Sequence, residues 1–390
     1  MALLPTMLLA TACAHTPVAP PDGSVFDEPS PDRVEAVVFL VGDAGEVDGV
    51  GNPVLQSLAN EVERWSGALA RDSAVTVLFL GDNVYPSGYH DALDDDVARD
   101  SVRLGNEIAT VSGPSARAYE TQGIFISGNH DWANTSEPLA QSRLKNLEAR
   151  LDRDRGAGPA VQLLPQAGSA GPTYVDFGPR IRLVMIDTQW WLAEGRNETA
   201  IAEANNRLAD LLADSRDRDV VVAAHHPLAT GGEHGGAMSF WSTLGVRWLL
   251  NRTGAVSQDL SSQVYQDMIS GLRDAFTRGG TPLVYASGHD HNLQVIRGTE
   301  PGDPVYTLVS GSASKLTSGL IRVPGMDMGL AAPGYMRLTF LRDGGVDLSV
   351  VSGPTSFTAC PEGATPAHDC LTLWPTTFRT VYSRHLKTAP

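Results

Sequence analysis

Gly288-His289-Asp290-His291 places two imidazoles one residue apart, directly after the apolar run Pro282–Ser287. Such a run reads as a buried strand. If extended geometry continued beyond it, His289 and His291 would face one spot while Asp290 faced away. Imidazoles delivered together from a strand end suit a metal site. A polar loop that happens to hold two histidines is the alternative, so the weight falls on what else the chain places at strand ends.

Four more apolar runs close in the same manner. Val37–Val41 ends in Gly42-Asp43-Ala44-Gly45, and Val75–Leu80 in Gly81-Asp82-Asn83-Val84-Tyr85. Gly123–Ile126 ends in Ser127-Gly128-Asn129-His130-Asp131, and Val220–Ala224 in His225-His226-Pro227. Singly each cluster is weak, because Gly-Asp closes many strands as a turn or helix cap. Yet six of the ten histidines (His130, His225, His226, His234, His289, His291) fall at or just beyond strand ends. The Asp, Asn, His and Tyr side chains gathered there are donors for hard and borderline cations.

Helical segments separate these runs: 53–71, 94–111, 137–155 and 198–215. Further strands are expected at 173–177, 181–187, 293–297, 305–309, 335–341 and 346–351, while 231–278 is a longer insertion with little pattern. Buried strands alternating with helices predict an α/β fold with ligands at the carboxyl ends of strands. The many locally pairing strands of the second half argue against one parallel sheet. Two packed mixed β-sheets flanked by helices are expected.

The chain has 390 residues, is 42% hydrophobic and carries a net charge of −16. That charge repels nucleic acid phosphates, so no nucleic acid partner is expected. Small anionic substrates remain open, because bound cations reverse the local field. Cys360 and Cys370 lie in a Pro- and Gly-containing stretch. Joined as a disulfide they would add about 3 kcal/mol by loop entropy and imply an oxidising compartment; two free thiols are the other reading. Residues 1–12 are mostly apolar but too short to span a bilayer. They end in Ala10-Thr11-Ala12-Cys13, which resembles the bacterial lipoprotein signal whose cysteine is lipidated. A Pro-, Asp- and Ser-rich tether follows. The expected division is a signal at 1–13, a tether at 14–35, one domain at 36–355 and a C-terminal extension at 356–390. The expected location is the bacterial periplasm or cell envelope, with a lipid anchor at Cys13.

In order, Gly-Asp-x-Gly at 42–45, Gly-Asp-Asn-x-Tyr at 81–85, Gly-Asn-His-Asp at 128–131, His-x-Pro at 225–227 and Gly-His-Asp-His at 288–291 resemble the calcineurin-like metallophosphoesterases. Within them the series is most similar to the purple acid phosphatases of the tartrate-resistant type. Most of the superfamily has His at the last position of the first motif. Here Gly45 stands there, and Tyr85 stands where the purple enzymes place a phenolate. The resemblance implies the four-layer sandwich of that family. It also implies a first metal on Asp43, Tyr85 and His291, and a second on Asn129, His225 and His289, with Asp82 bridging. The pair would be Fe(III) with Fe(II), Zn(II) or Mn(II). His130 and His234 match the substrate-side histidines and would act in catalysis, while His226 sits behind the ligands. The implied function is an exported phosphatase hydrolysing phosphomonoesters with a metal-activated water. The alternatives are a phosphodiesterase or nucleotide hydrolase on the same scaffold, or a non-catalytic surface binding protein.

Replacing Cys13 by Ser is expected to move the protein from membranes to the soluble exported fraction without changing its turnover. Fractionation showing unchanged membrane attachment would count against lipidation.

Overall fold

In the computed structural model, residues 25–47, 52–134, 138–193, 198–235, 259–317, 319–353 and 377–389 are described. The signal, Cys13 and both C-terminal cysteines lie outside them.

Strand β1 (Val34–Val41) shows how the layers arise. Its side chains alternate, so Val37, Phe39 and Val41 enter one apolar core while Ala36, Val38 and Leu40 enter another. A strand apolar on both faces must be covered on both. The second core lies between two mixed sheets of seven strands each.

The first sheet runs, in spatial order, β14 (Arg379–Lys387), β13 (Val346–Ser352), β12 (Gly334–Leu341), β1, β2 (Ala74–Phe79), β3 (Gln122–Phe125) and β4 (Ala160–Leu163). The second runs β11 (Met326–Leu330), β9 (Leu293–Arg297), β10 (Tyr306–Ser310), β8 (Val284–Ser287), β7 (Asp219–Ala223), β6 (Ile181–Met185) and β5 (Thr173–Phe177). Each sheet contains a parallel block: β1 to β4 in the first, and β6, β7, β8 and β10 in the second. Carboxyl ends from both blocks meet at one edge, where Gly42 N–H donates to Ser310 O at 2.8 Å across the sheets.

Helices α1 (Pro53–Ala68), α2 (Val97–Ala109) and α3 (Pro114–Tyr119) pack on the outside of the first sheet. Helix α4 (Leu139–Ala157) contributes Leu147 and Leu151 to that layer and Ala140 and Leu144 to the other. Helices α5 (Thr188–Leu192), α6 (Glu198–Ala213) and α7 (Gln263–Gly279) cover the second sheet. The layering is helix, sheet, sheet, helix.

Several boundaries differ from the sequence reading. Strands β4, β11 and β14 were not expected, and all three lie at sheet edges, where one flank is unpaired and polar residues are common. Because β14 pairs with β13, residues 379–387 belong to the domain rather than to an extension. Part of the expected tether is also docked. Phe26 stacks on His385 at 4.2 Å, and Glu28 pairs with Arg64 at 3.0 Å and with the buried Arg337 at 2.5 Å. The insertion holds α7, whose Tyr265, Met268, Ile269, Leu272, Ala275, Phe276 and Gly279 are buried at helical spacing behind a Ser262 cap.

Leu272 is fully buried in that layer. Leu272→Ala should destabilise the fold by about 2–5 kcal/mol, read from denaturant unfolding. A loss under about 0.5 kcal/mol, the scale of surface substitutions, would mean α7 is not a packed element.

Candidate metal centre

The five polar clusters converge at the shared edge, and the backbone there is unusual. Among the described residues, the non-glycine positions with left-handed φ include Asp43 (58°), Asp82 (57°) and His289 (69°). Such conformations concentrate at functional sites, where the surroundings over-determine them. The value at His289 corrects the simple strand argument: β8 ends at Ser287 and the chain turns at once, with Asp290 N–H donating to Gly288 O at 2.9 Å. His289 and His291 therefore point to two neighbouring poles rather than one spot. Asp290 does face away, accepting N–H of His234 at 3.1 Å and the hydroxyl of Thr230.

At the first pole, Tyr85 Oη lies 3.1 Å from Asp43 Oδ1, 3.0 Å from Asp82 Oδ2 and 3.4 Å from His291 Nε2. At the second, Asn129 Oδ1 lies 2.9 Å from His225 Nε2 and 3.2 Å from His289 Nδ1. Asp82 Oδ2 is also 3.5 Å from His225 Nε2, so one carboxylate oxygen faces both poles. All seven side chains that the resemblance implies as ligands are thus brought together.

The donor set fits cations because it has too few protons. His225 Nδ1–H donates to Leu80 O at 2.8 Å, which leaves Nε2 of the neutral ring with only a lone pair. Asn129 donates its Nδ2–H to Asn134 Oδ1 at 2.7 Å, so its carbonyl oxygen is what meets that lone pair. Two acceptors then face each other at 2.9 Å, and His289 Nδ1, 3.2 Å from each, can offer at most one hydrogen between them. At the first pole one phenolic hydrogen serves two buried carboxylates. A cation at each pole relieves both conflicts, and the orienting bond to Leu80 O is the kind of outer contact that aims a metal-binding imidazole.

Burial, then the charge of Asp82, pushes Asp43 well above the usual carboxylate range. Against the upward pull of burial, the imidazoles of His225 and His130 draw Asp82 down to about 2. Burial followed by the charge of Lys315 lowers His291 to about 3, and burial lowers His225. A lowered pKa favours the neutral imidazole, the form that binds metals.

Gly45 has no room for a side chain, since a Cβ there would lie 2.1 Å from Asn83 O. The chain passes so closely because Tyr85 N–H donates to Gly45 O at 3.1 Å. The glycine and the tyrosine are thus one local arrangement.

His130 and His234 flank opposite poles and are partly exposed (24% and 21%) beside nearly dry ligands. The His130 ring lies 4.2 Å from that of Tyr85, and His234 lies 4.1 Å from His289. His226 is buried; its Nδ1 is 2.9 Å from Thr188 Oγ1 and its ring 4.5 Å from His289.

Sequence reasoning missed three supporting residues. Asp131 accepts N–H bonds from Asn83, Val84 and Gly128 and from the Asn83 amide, fastening two motif loops together. Asp259, buried within the insertion, lies 3.0 Å from His234 Nδ1. Lys315 reaches the ring of Tyr85. Asp131 was visible inside its motif, whereas Asp259 and Lys315 carry no local signal. A further grouping, His90, Asp94 and Asp96, already holds Arg99 at 3.0 Å from Asp96.

Residues 37–293 match the family described as calcineurin-like phosphoesterase, which covers well over half of the chain. The chain belongs to this family of metal-dependent phosphoesterases. A comparison with curated proteins gave no match. Among solved structures, the fold is similar to GAP50, the anchor in the inner membrane complex of Plasmodium. The TM-score is 0.56 at 15% identity, over 92% of this chain and 90% of that one. It is also similar to the purple acid phosphatase PPD1 from yellow lupin seeds, with a TM-score of 0.49 at 14% identity, over 84% of this chain and 53% of that one. At these identities the likeness speaks for the fold alone.

Metal removal should make stability strongly pH-dependent. Burial and the charge of Asp82 hold Asp43 high and push Asp131 up to about 7, above an unfolded value of about 3.9. A raised pKa stabilises fully below the unfolded value and stops doing so as the pH rises through the folded one. The opposite contribution of Asp82 is lost only as the pH falls toward about 2. His291 and His225, lowered from an unfolded value of about 6.5, gain stability with rising pH up to that point. The melting temperature of chelated protein should therefore fall between about pH 6.5 and pH 8, and metal should restore it most at the upper end. An apo melting temperature that rises over that range would show that neither carboxyl is protonated in the fold.

Proposed function

We propose that this chain is an exported phosphatase that hydrolyses phosphomonoesters at a binuclear metal centre. The observation that carries the reading is the pair of proton-poor poles joined by Asp82 Oδ2, 3.0 Å from Tyr85 Oη and 3.5 Å from His225 Nε2. Asp43, Tyr85 and His291 would hold the first ion, Asn129, His225 and His289 the second, and Asp82 both. When bound, such a pair activates water as a nucleophile and offsets charge on a transferring phosphoryl group. A phenolate is a hard anionic donor, which favours Fe(III) at the first position; Fe(II), Zn(II) or Mn(II) suits the imidazoles and amide of the second.

The chain's own residues would then do the rest. Asp82 offsets repulsion between the cations and fixes their spacing. The exposed edges of His130 and His234 meet a substrate approaching the buried ligands. His130 Nδ1–H donates to Pro86 O at 2.6 Å, and His234 Nδ1 bonds to Asp259 at 3.0 Å, so each ring presents Nε2. Protonated, either supplies a proton to the leaving alkoxide and charge to a phosphomonoester dianion. Export and a lipid anchor rest on the likeness of residues 10–13 to a lipoprotein signal. A small phosphorylated substrate rests on the paired cations, whose charge would reverse the local field of a chain at −16. One other reading has an observation behind it: the fold is shared with GAP50, described as an anchor. A well-folded protein that binds no metal would favour that binding role.

The test compares a monoester with a bis-ester of the same chromogenic leaving group, then a series of monoesters with progressively poorer leaving groups. The monoester should be the better substrate; a preference for the bis-ester would sink the phosphomonoesterase reading. His234→Ala should cost about 10²–10⁴-fold on poor leaving groups and much less on good ones. An equal loss across the series would reassign His234 to phosphate binding.

A further inference from the structure

A charge that belongs to none of the five motifs sits at the first pole. Strand β10 is parallel to β8, so the loop after it emerges at the same edge as His289 and His291. That loop is fastened to the site on both sides of Lys315. Ala313 N–H donates to Gly42 O at 3.3 Å, the Ser314 hydroxyl donates to Asp43 O, and Thr317 N–H donates to His291 O at 3.1 Å. Asn52 Nδ2–H donates to Ala313 O at 2.6 Å, and Glu46 N–H to Ser314 Oγ at 3.3 Å. From this anchored backbone Lys315 reaches inward, and its Nζ lies 3.9 Å from the centroid of the Tyr85 ring. The same ammonium lies 2.6 Å from Glu46 Oε2, in the turn that carries Gly45. Tyr85 itself is buried, with 1% of its surface exposed.

We infer that Lys315 is a positioning residue for the first metal. Its ammonium weakens the electron donation of the Tyr85 phenolate, and Glu46 sets how much of that charge the ring feels. This rests on the proposal that Tyr85 is a ligand to Fe(III). A phenolate's donor orbitals spread over its ring, and a cation held against that ring lowers their energy. The effect is largest where water does not screen it: the Tyr85 ring is dry, while the Lys315 side chain is 32% exposed. Because the charge lies over the ring, the donor orbitals are lowered more than the acceptor orbitals of an ion bound beyond the oxygen. Glu46 opposes this, and the pair as built leaves the ring a fraction of the full charge.

The experiment uses full-length, iron-loaded, oxidised protein with its iron content measured. It compares Lys315→Met, which keeps the length but removes the charge, with Lys315→Arg and Glu46→Gln. The phenolate-to-iron absorption band should move to longer wavelength in Lys315→Met and stay near the wild-type position in Lys315→Arg. It should move to shorter wavelength in Glu46→Gln. The Fe(III)/Fe(II) potential should fall in Lys315→Met, since loss of a nearby cation favours the more highly charged ion. A purely structural role would change iron content or band intensity without this ordered pair of opposite shifts. If Lys315→Met does not fold or hold iron, Glu46→Gln decides: a shift to shorter wavelength supports the inference, and none overturns it. A coloured wild type whose band coincides with that of folded Lys315→Met overturns the role of Lys315 and leaves Tyr85 ligation standing. A colourless wild type that contains Fe(III) overturns the ligation, and the inference with it.

Discussion

Carboxylates and lone pairs crowded with too few protons between them are the constraint on which the site depends. Asp43 and Asp82 share one phenolic hydrogen, while the carbonyl of Asn129 meets the bare nitrogen of His225 at 2.9 Å. In a dry interior such contacts are costly unless a cation or proton occupies the gap. The fold holds this arrangement because its ligands stand on strand ends buried under two cores. The backbone is bent to match, with left-handed φ at Asp43, Asp82 and His289. What a metal-free chain tolerates poorly, bound cations would relieve, so metal binding would add to stability.

The sheets matter because their parallel blocks end at one edge. Gly42 bonds to Ser310 across the sheets, and His289 N–H donates to Asp43 Oδ2 at 2.9 Å. Four of the seven candidate ligands thus come from the first sheet and three from the second, each pole drawing on both, and shifting one sheet against the other would pull each pole apart. Around them lies a second ring of orienting contacts. Leu80 O fixes the tautomer of His225, and Asp131 locks the loops carrying Asp82 and Asn129. Its four N–H donors explain why a carboxylate that touches no substrate is buried so close to the centre.

Much was legible because both kinds of signal are local. Doubly buried strands read as unbroken apolar runs, and Val34–Val41 could be little else. The clusters closing those runs contain the seven candidate ligands within short segments. Edge strands were not legible: β14 reads Arg-Thr-Val-Tyr-Ser-Arg-His-Leu-Lys, with apolar residues too sparse to stand out. Helix α7 lies in the insertion with little overall pattern, yet its buried residues follow helical spacing, so that signal was legible.

By itself the sequence determined the chemistry at each strand end, because a donor's identity and its place after an apolar run are properties of neighbouring residues. Through the family resemblance it also pointed to the phenol of Tyr85 as the counterpart of the side chain that Gly45 lacks. Neighbouring residues did not say which donors share a pole; the family resemblance implied the grouping, and the tertiary structure gives its physical basis. Strand alternation would have put His289 and His291 together, but the turn after Ser287 sends one to Asn129 and the other to Tyr85. The tertiary structure alone decided that Asp259 reaches His234. Lys315, more than 200 residues beyond Tyr85, meets that ring only because β10 runs parallel to β8. Contacts between residues so distant in sequence follow from the pairing of whole sheets, which no single segment encodes.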